Sequence, residues 1–129
     1  IKRMNNFLII SCTGKNDKLG LGINKEFFIH NLLEKKNHCE NLVEEISNFT
    51  KEYNTSIDKN FSVIVNQGPG SFSSIRISIA VAKGLEISKK VKIYGYNSFD
   101  LKIFDKENVE NLINSNLIEK NLIKPIYLS

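Results

Sequence analysis

Residues 66–85 read Asn-Gln-Gly-Pro-Gly-Ser-Phe-Ser-Ser-Ile-Arg-Ile-Ser-Ile-Ala-Val-Ala-Lys-Gly-Leu, and the fold turns on how this stretch is read. Just before it, Phe61-Ser62-Val63-Ile64-Val65 is a β-branched apolar run, the pattern of a strand covered on both faces. Gly68 and Gly70 are expected to supply positive φ. Pro69 fixes φ between them and has no N–H to donate, and Ser71 is a favoured helix N-cap. A helix therefore starts at Ser71. Phe72, Ile75, Ile79 and Ala82 form one apolar face, while Ile77, Ala80, Val81, Gly84 and Leu85 form a second. Two such faces imply a helix sandwiched within its domain or packed on another chain. Ala80, Gly84 and Ser88 are small residues at spacing four, a line along which a second helix could approach. Glycine in a helix interior costs about 1 kcal/mol relative to alanine, so Gly84 points to a packing reason.

Working outward, Phe7 to Cys12 reads as a buried first strand, Thr13 to Asp17 as a turn, and Leu19 to Ile23 as a second strand alternating with glycine. Asn24-Lys25 is a short turn before a third strand from Phe27 to Leu33. These strands form an antiparallel meander. A helix from Asn37 carries Cys39, Leu42, Val43, Ile46, Phe49 and Tyr53 on one side, with Glu40, Glu44, Glu45, Lys51 and Glu52 on the other. Val91 to Gly95 is another strand. Strand, helix, strand implies parallel pairing through a right-handed crossover. The expected class is α/β with a mixed five-stranded sheet, a meander of three strands followed by strand-helix crossovers. Beyond it, Ser98 is expected to cap a helix carrying Phe99, Leu101, Ile103 and Phe104, and Val109, Leu112, Ile113 and Leu117 mark another.

Composition excludes several classes. The 129 residues suffice for one domain, and 41% hydrophobic with 25% charged residues is ordinary for a soluble one. The formal charge of +4 comes from lysines mixed with glutamates, the pattern of solvated faces, with nucleic-acid contact left open. No run is long enough to span a bilayer and no signal-peptide pattern opens the chain, so a cytoplasmic protein without membrane contact is expected. Cys12 and Cys39 make no Cys-x-x-Cys pair and read as buried free thiols. His30 and His38 lack any His-Glu-x-x-His spacing, so no metal site is expected. Ser71 is not in a Gly-x-Ser-x-Gly elbow, and no catalytic triad can be assembled.

Gly68-Pro69-Gly70-Ser71-Phe72, Arg76-Ile77, Ala80 and Ala82-Lys83-Gly84-Leu85 together resemble the signature of the bacterial TsaB (YeaZ) family, non-catalytic partners in making threonylcarbamoyladenosine on tRNA. His38-Cys39-Glu40-Asn41-Leu42 is similar to that family's opening of the first helix, and Pro125-Ile126-Tyr127-Leu128 to its tail. The likeness covers about Phe7 to Leu101 plus the tail. It implies an actin-like ATPase or ribonuclease H-like domain, with residues 1–104 as an N-terminal lobe. Residues 105–129 would be a short helical extension replacing most of the second lobe. Two departures carry chemical weight. Ser11 and Cys12 stand where relatives keep an Asp-Thr pair, and neither replaces a carboxylate as a hard ligand for Mg²⁺. Ser74 and Ser78 stand where relatives commonly have glycine.

The resemblance further implies an accessory subunit that docks through its first two helices onto a catalytic TsaD-type subunit, with a TsaE-type ATPase subunit joining. ATP and Mg²⁺ would belong to the complex rather than to this chain alone, and tRNA would be met only through the complex. Leu42, Val43, Ile46, Ile75, Ile79 and Ala82 are the candidates for the partner contact, and Ile79→Glu is expected to abolish it while sparing the fold. Gly68, Gly70, Ser71 and Arg76 are candidates for a nucleotide or partner contact, since N–H groups at a helix N-terminus suit an anion. Arg76 has Glu40, Glu44 or a partner as possible counterparts. Two other readings stand beside this one. One is a stand-alone actin-like or ribonuclease H-like enzyme binding nucleotide at the glycine turn. The other is a homodimeric scaffold without a tRNA role.

Overall fold

A computed structural model describes residues 6–32, 41–115, 118–120 and 123–126. Its elements follow in the order β1 (Asn6–Ser11), β2 (Lys18–Ile23), β3 (Glu26–Asn31), α1 (Leu42–Glu52), β4 (Phe61–Asn66), α2 (Phe72–Lys89), β5 (Lys92–Tyr96) and α3 (Lys106–Asn114). One sheet holds every strand in the order β3-β2-β1-β4-β5. The β1, β2 and β3 pairings are antiparallel, with Ile9 opposite Gly20 and Gly22 opposite Phe27. Those of β4 with β1 and β5 are parallel, with Leu8 opposite Val63 and Ile64 opposite Tyr94. The mixed five-stranded sheet read from the sequence is the sheet observed.

Alternation along the strands divides the core into two layers. Leu8, Ile10, Leu19, Leu21, Val63 and Val65 face α1 and α2, which cover one side through Leu42, Ile46 and Phe49 and through Ile75, Ile79 and Ala82. Phe28 stacks on Tyr53 at 4.0 Å between ring centroids, fixing α1 over the β3 edge. Phe7, Ile9, Ile64 and Tyr96 face the other side, closed by Val109, Leu112 and Ile113 of α3. Gly20 and Gly22 belong to this second face. A Cβ at Gly20 would lie 2.6 Å from Ile9 and from Phe27, and one at Gly22 would collide with the Phe7 ring. Side chains are missing from β2 there because aromatic rings lie across it.

Several expectations are corrected. The segment after β5 forms only a 3₁₀ turn, Ser98–Asp100, capped by the Asn97 side chain, which accepts from the Phe99 N–H. Phe99 and Ile103 are exposed, so no apolar face drives a longer helix. The other helix expected there, on Val109, Leu112 and Ile113, is α3, whose N-cap is Asp105. The expected start of α1 at Asn37, with His38, Cys39 and Glu40, lies outside the described residues, as do Leu117, Tyr127 and Leu128. Among the described residues no helix is long and apolar enough to cross a membrane.

Candidate functional site

The turn between β4 and α2 is built by its neighbours. Gly68 has φ of +99°, and the Gly68–Pro69 peptide is cis. Gly70 does not share that positive φ. Glycine is required there because a Cβ would sit 2.7 Å from the Thr13 side chain. Asn66 closes the turn from inside. Its Oδ1 accepts from the Gly68 N–H at 2.8 Å and from the Ser98 hydroxyl at 3.0 Å. Ser98 also donates to the Pro69 carbonyl at 2.9 Å. From the tail, the Ile126 N–H donates to Gln67 O at 2.7 Å, and Gln67 Nε2 donates to Lys124 O at 2.9 Å.

An anion would need free N–H groups at this place, and the N–H of Ser71 is already used. The Ser71 N–H donates to Thr13 O at 2.7 Å, and the Ser71 side chain makes no capping bond, contrary to its expected role. In the facing β1–β2 loop the Asp17 carboxylate accepts from the N–H groups of Thr13 and Gly14, each at 3.0 Å. Asp17 is only 3% exposed, so its carboxylate sits inside the loop. Beside this loop, Ser11 ends β1 and the buried Cys12 follows it. Among the described residues, no three His, Cys, Asp or Glu side chains converge on a metal position. Beside the turn, the Tyr96 hydroxyl is buried near Ser11 and Asn66 without a hydrogen bond of good geometry. Burial drives its pKa well above the ordinary tyrosine value.

Among the described residues Arg76 forms no ion pair, and Glu40, one of its expected counterparts, lies outside them. Its guanidinium lies 4.8 Å from the centroid of the Phe72 ring, one turn back on α2. Phe72 is 56% exposed rather than part of the buried face, because the helix packs through Ser74, Ile75, Ser78, Ile79 and Ala82.

This packing divides the candidate contact residues. Leu42, Ile46, Ile75, Ile79 and Ala82 are buried against the sheet, so they are core and are corrected as partner contacts. Val43 is not; it points outward from α1 and is 62% exposed. On α2, Ala80 and Gly84 face the outside, Val81 and Leu85 are half-buried, and nothing lies within 4 Å of a Cβ built at Gly84. Between the helices runs a groove of about 310 Å³ with Val43, Ile46, Ile57, Val81 and Leu85 among its lining, and with Lys51 and Lys89 also bordering it. The described residues thus supply no close contact that would account for Gly84. Sequence reading missed Asp17, Asn66 and Ser98. Their one visible signal was a polar residue at the end of an apolar strand or inside a turn.

Comparison with known proteins places this geometry. A family model described as TsaD, tRNA N6-adenosine threonylcarbamoyltransferase, matches residues 30–112, more than half of the chain. The tRNA threonylcarbamoyladenosine biosynthesis protein TsaB of Buchnera aphidicola subsp. Acyrthosiphon pisum is 30% identical over 111 residues, covering 82% of this chain and 50% of that protein. TsaB of Buchnera aphidicola subsp. Schizaphis graminum is 27% identical over 96 residues, covering 73% and 46%. The solved structure of YeaZ from Pseudomonas aeruginosa superposes with a TM-score of 0.67 at 19% identity, covering 76% of this chain and 45% of that one. The fold is shared with that protein, and the chain spans about half the length of the relatives it matches.

Proposed function

The chain belongs to the TsaB (YeaZ) family, within the group described by the TsaD model, and from that premise we propose that it serves threonylcarbamoyladenosine biosynthesis on tRNA as a non-catalytic accessory subunit. It docks on a TsaD-type catalytic subunit in the cytoplasm, and its contribution is to favour that subunit's competent conformation by binding energy. The observation that carries this reading is the uncovered face shared by α1 and α2. Val43 is exposed on α1, Ala80 and Gly84 lie open on the outer side of α2, and a groove lined by Val43, Val81 and Leu85 among others runs between the helices. Small residues let a partner helix approach closely, and the half-buried Val81 and Leu85 would complete their burial beneath it. Arg76 on its Phe72 ring lies on the same helix and supplies a cation at the margin. ATP, Mg²⁺ and a TsaE-type subunit belong to the assembled complex. The internal occupation of the Thr13, Gly14 and Ser71 N–H groups supports leaving the nucleotide to the partner.

The test is reconstitution of tRNA modification with the TsaD-type protein of the same organism. Omission of this chain should abolish modification, and Val43→Glu combined with Ala80→Arg should reproduce the omission while leaving thermal unfolding of the isolated chain unchanged. Full modification in the absence of the chain would refute the accessory role.

A further inference from the structure

At the opposite end of the sheet from the glycine turn lies a cleft of about 380 Å³, between the β2–β3 hairpin and α3. Phe7, Phe27 and Ile113 contribute its apolar surface. The Phe7 and Phe27 rings are 6.1 Å apart between centroids and inclined by only 27°, and they can lie flat because β2 has glycine at positions 20 and 22. Around this floor stand the carboxamides of Asn6, Asn24 and Asn114. Lys25 and Lys106 add ammonium groups, and Glu26 and Glu110 add carboxylates. Among the described residues, none of these polar side chains hydrogen-bonds or ion-pairs with the protein.

We propose that this cleft binds a nucleobase together with its ribose, presented as a free nucleoside or as an unpaired nucleotide of an RNA strand. The half-buried Phe27 ring, backed by the buried Phe7, suits a planar heterocycle, since every base has a π-face to stack. Carboxamides offer a donor and an acceptor side by side, the pair that base edges match. The carboxylates accept from sugar hydroxyls, as acidic side chains do in dinucleotide sites. The two lysines and two glutamates cancel, so the cleft selects the uncharged part of a nucleotide, with phosphates left outside it. The cleft volume lies within the range of small-molecule sites. The inference is independent of docking through α1 and α2, because the cleft lies on the α3 side of the sheet.

The experiment is an NMR titration of the full chain with adenosine, uridine, a single-stranded RNA hexamer and a duplex RNA of the same sequence. The proposal expects saturable ring-current shifts at Phe7 and Phe27, with shifts at the side-chain amides of Asn24 and Asn114. Asn24→Gly suits the positive φ of that position, and Asn114→Ala lies at an exposed helix end. Each should weaken binding about 3- to 10-fold, the loss of one or two neutral hydrogen bonds. Saturation by nucleosides identifies a small-molecule site; saturation by the hexamer alone identifies RNA as the source. No saturable shift with any probe would overturn the proposal. So would shifts confined to Gly68–Ser71, duplex binding as tight as the single strand, or unchanged affinity in both variants.

Discussion

Asp17 does for the β1–β2 loop what a bound anion would otherwise do. Its buried carboxylate holds the N–H groups of Thr13 and Gly14, and the Thr13 carbonyl in turn accepts from the N–H of Ser71, the residue before α2. Hydrogen bonds to a charged group contribute about 1.5–3 kcal/mol, and their loss would leave the loop donors unpaired. Asp17→Ala is therefore expected to cost about 2–3 kcal/mol in urea unfolding; a loss below about 0.5 kcal/mol would mean that the loop is held otherwise. None of this was legible beforehand. Thr13 to Asp17 announced a turn by composition, but which carboxylate meets which N–H depends on the loop's path, and that path is set by contacts with Ser71 far along the chain. Gly70 shows the same limit. Sequence reading asks it for a positive φ, whereas the structure needs it for close approach to Thr13.

For the elements, periodicity served well where one face of an element is buried. The strands, the meander and the parallel crossovers follow from alternation and from helix-length patterns between them. It served poorly on α2, where apolar residues run round more than one side and no count of spacings says which side meets the sheet. Serines decided the matter: Ser74 and Ser78 are buried with Ile75 and Ile79, so the core-facing side is partly polar. Ser78 satisfies its hydroxyl on the Ile75 carbonyl at 3.0 Å. A charge at Ile79 would then be driven into the core, at a cost of several kcal/mol. Ile79→Glu is expected to yield a chain without a cooperative thermal transition, while Val43→Glu melts like the parent. A folded, partner-deficient Ile79→Glu would return that residue to the surface.

At the scale of the molecule, the described residues form a sheet covered by α1 and α2 on one side and by α3 on the other. The α1–α2 side leaves Val43 and the Ala80–Gly84 line open, and the chain matches about half the length of its relatives. Docking of a TsaD-type subunit onto this side is the central claim. Size-exclusion chromatography with light scattering, on the chain alone and mixed with the TsaD-type protein of the same organism, tests it most directly. The account predicts a stable one-to-one complex that is lost with Val43→Glu and Ala80→Arg together. Parent and variant chains that both elute at the mass of the free chain, or a complex indifferent to these substitutions, would contradict it.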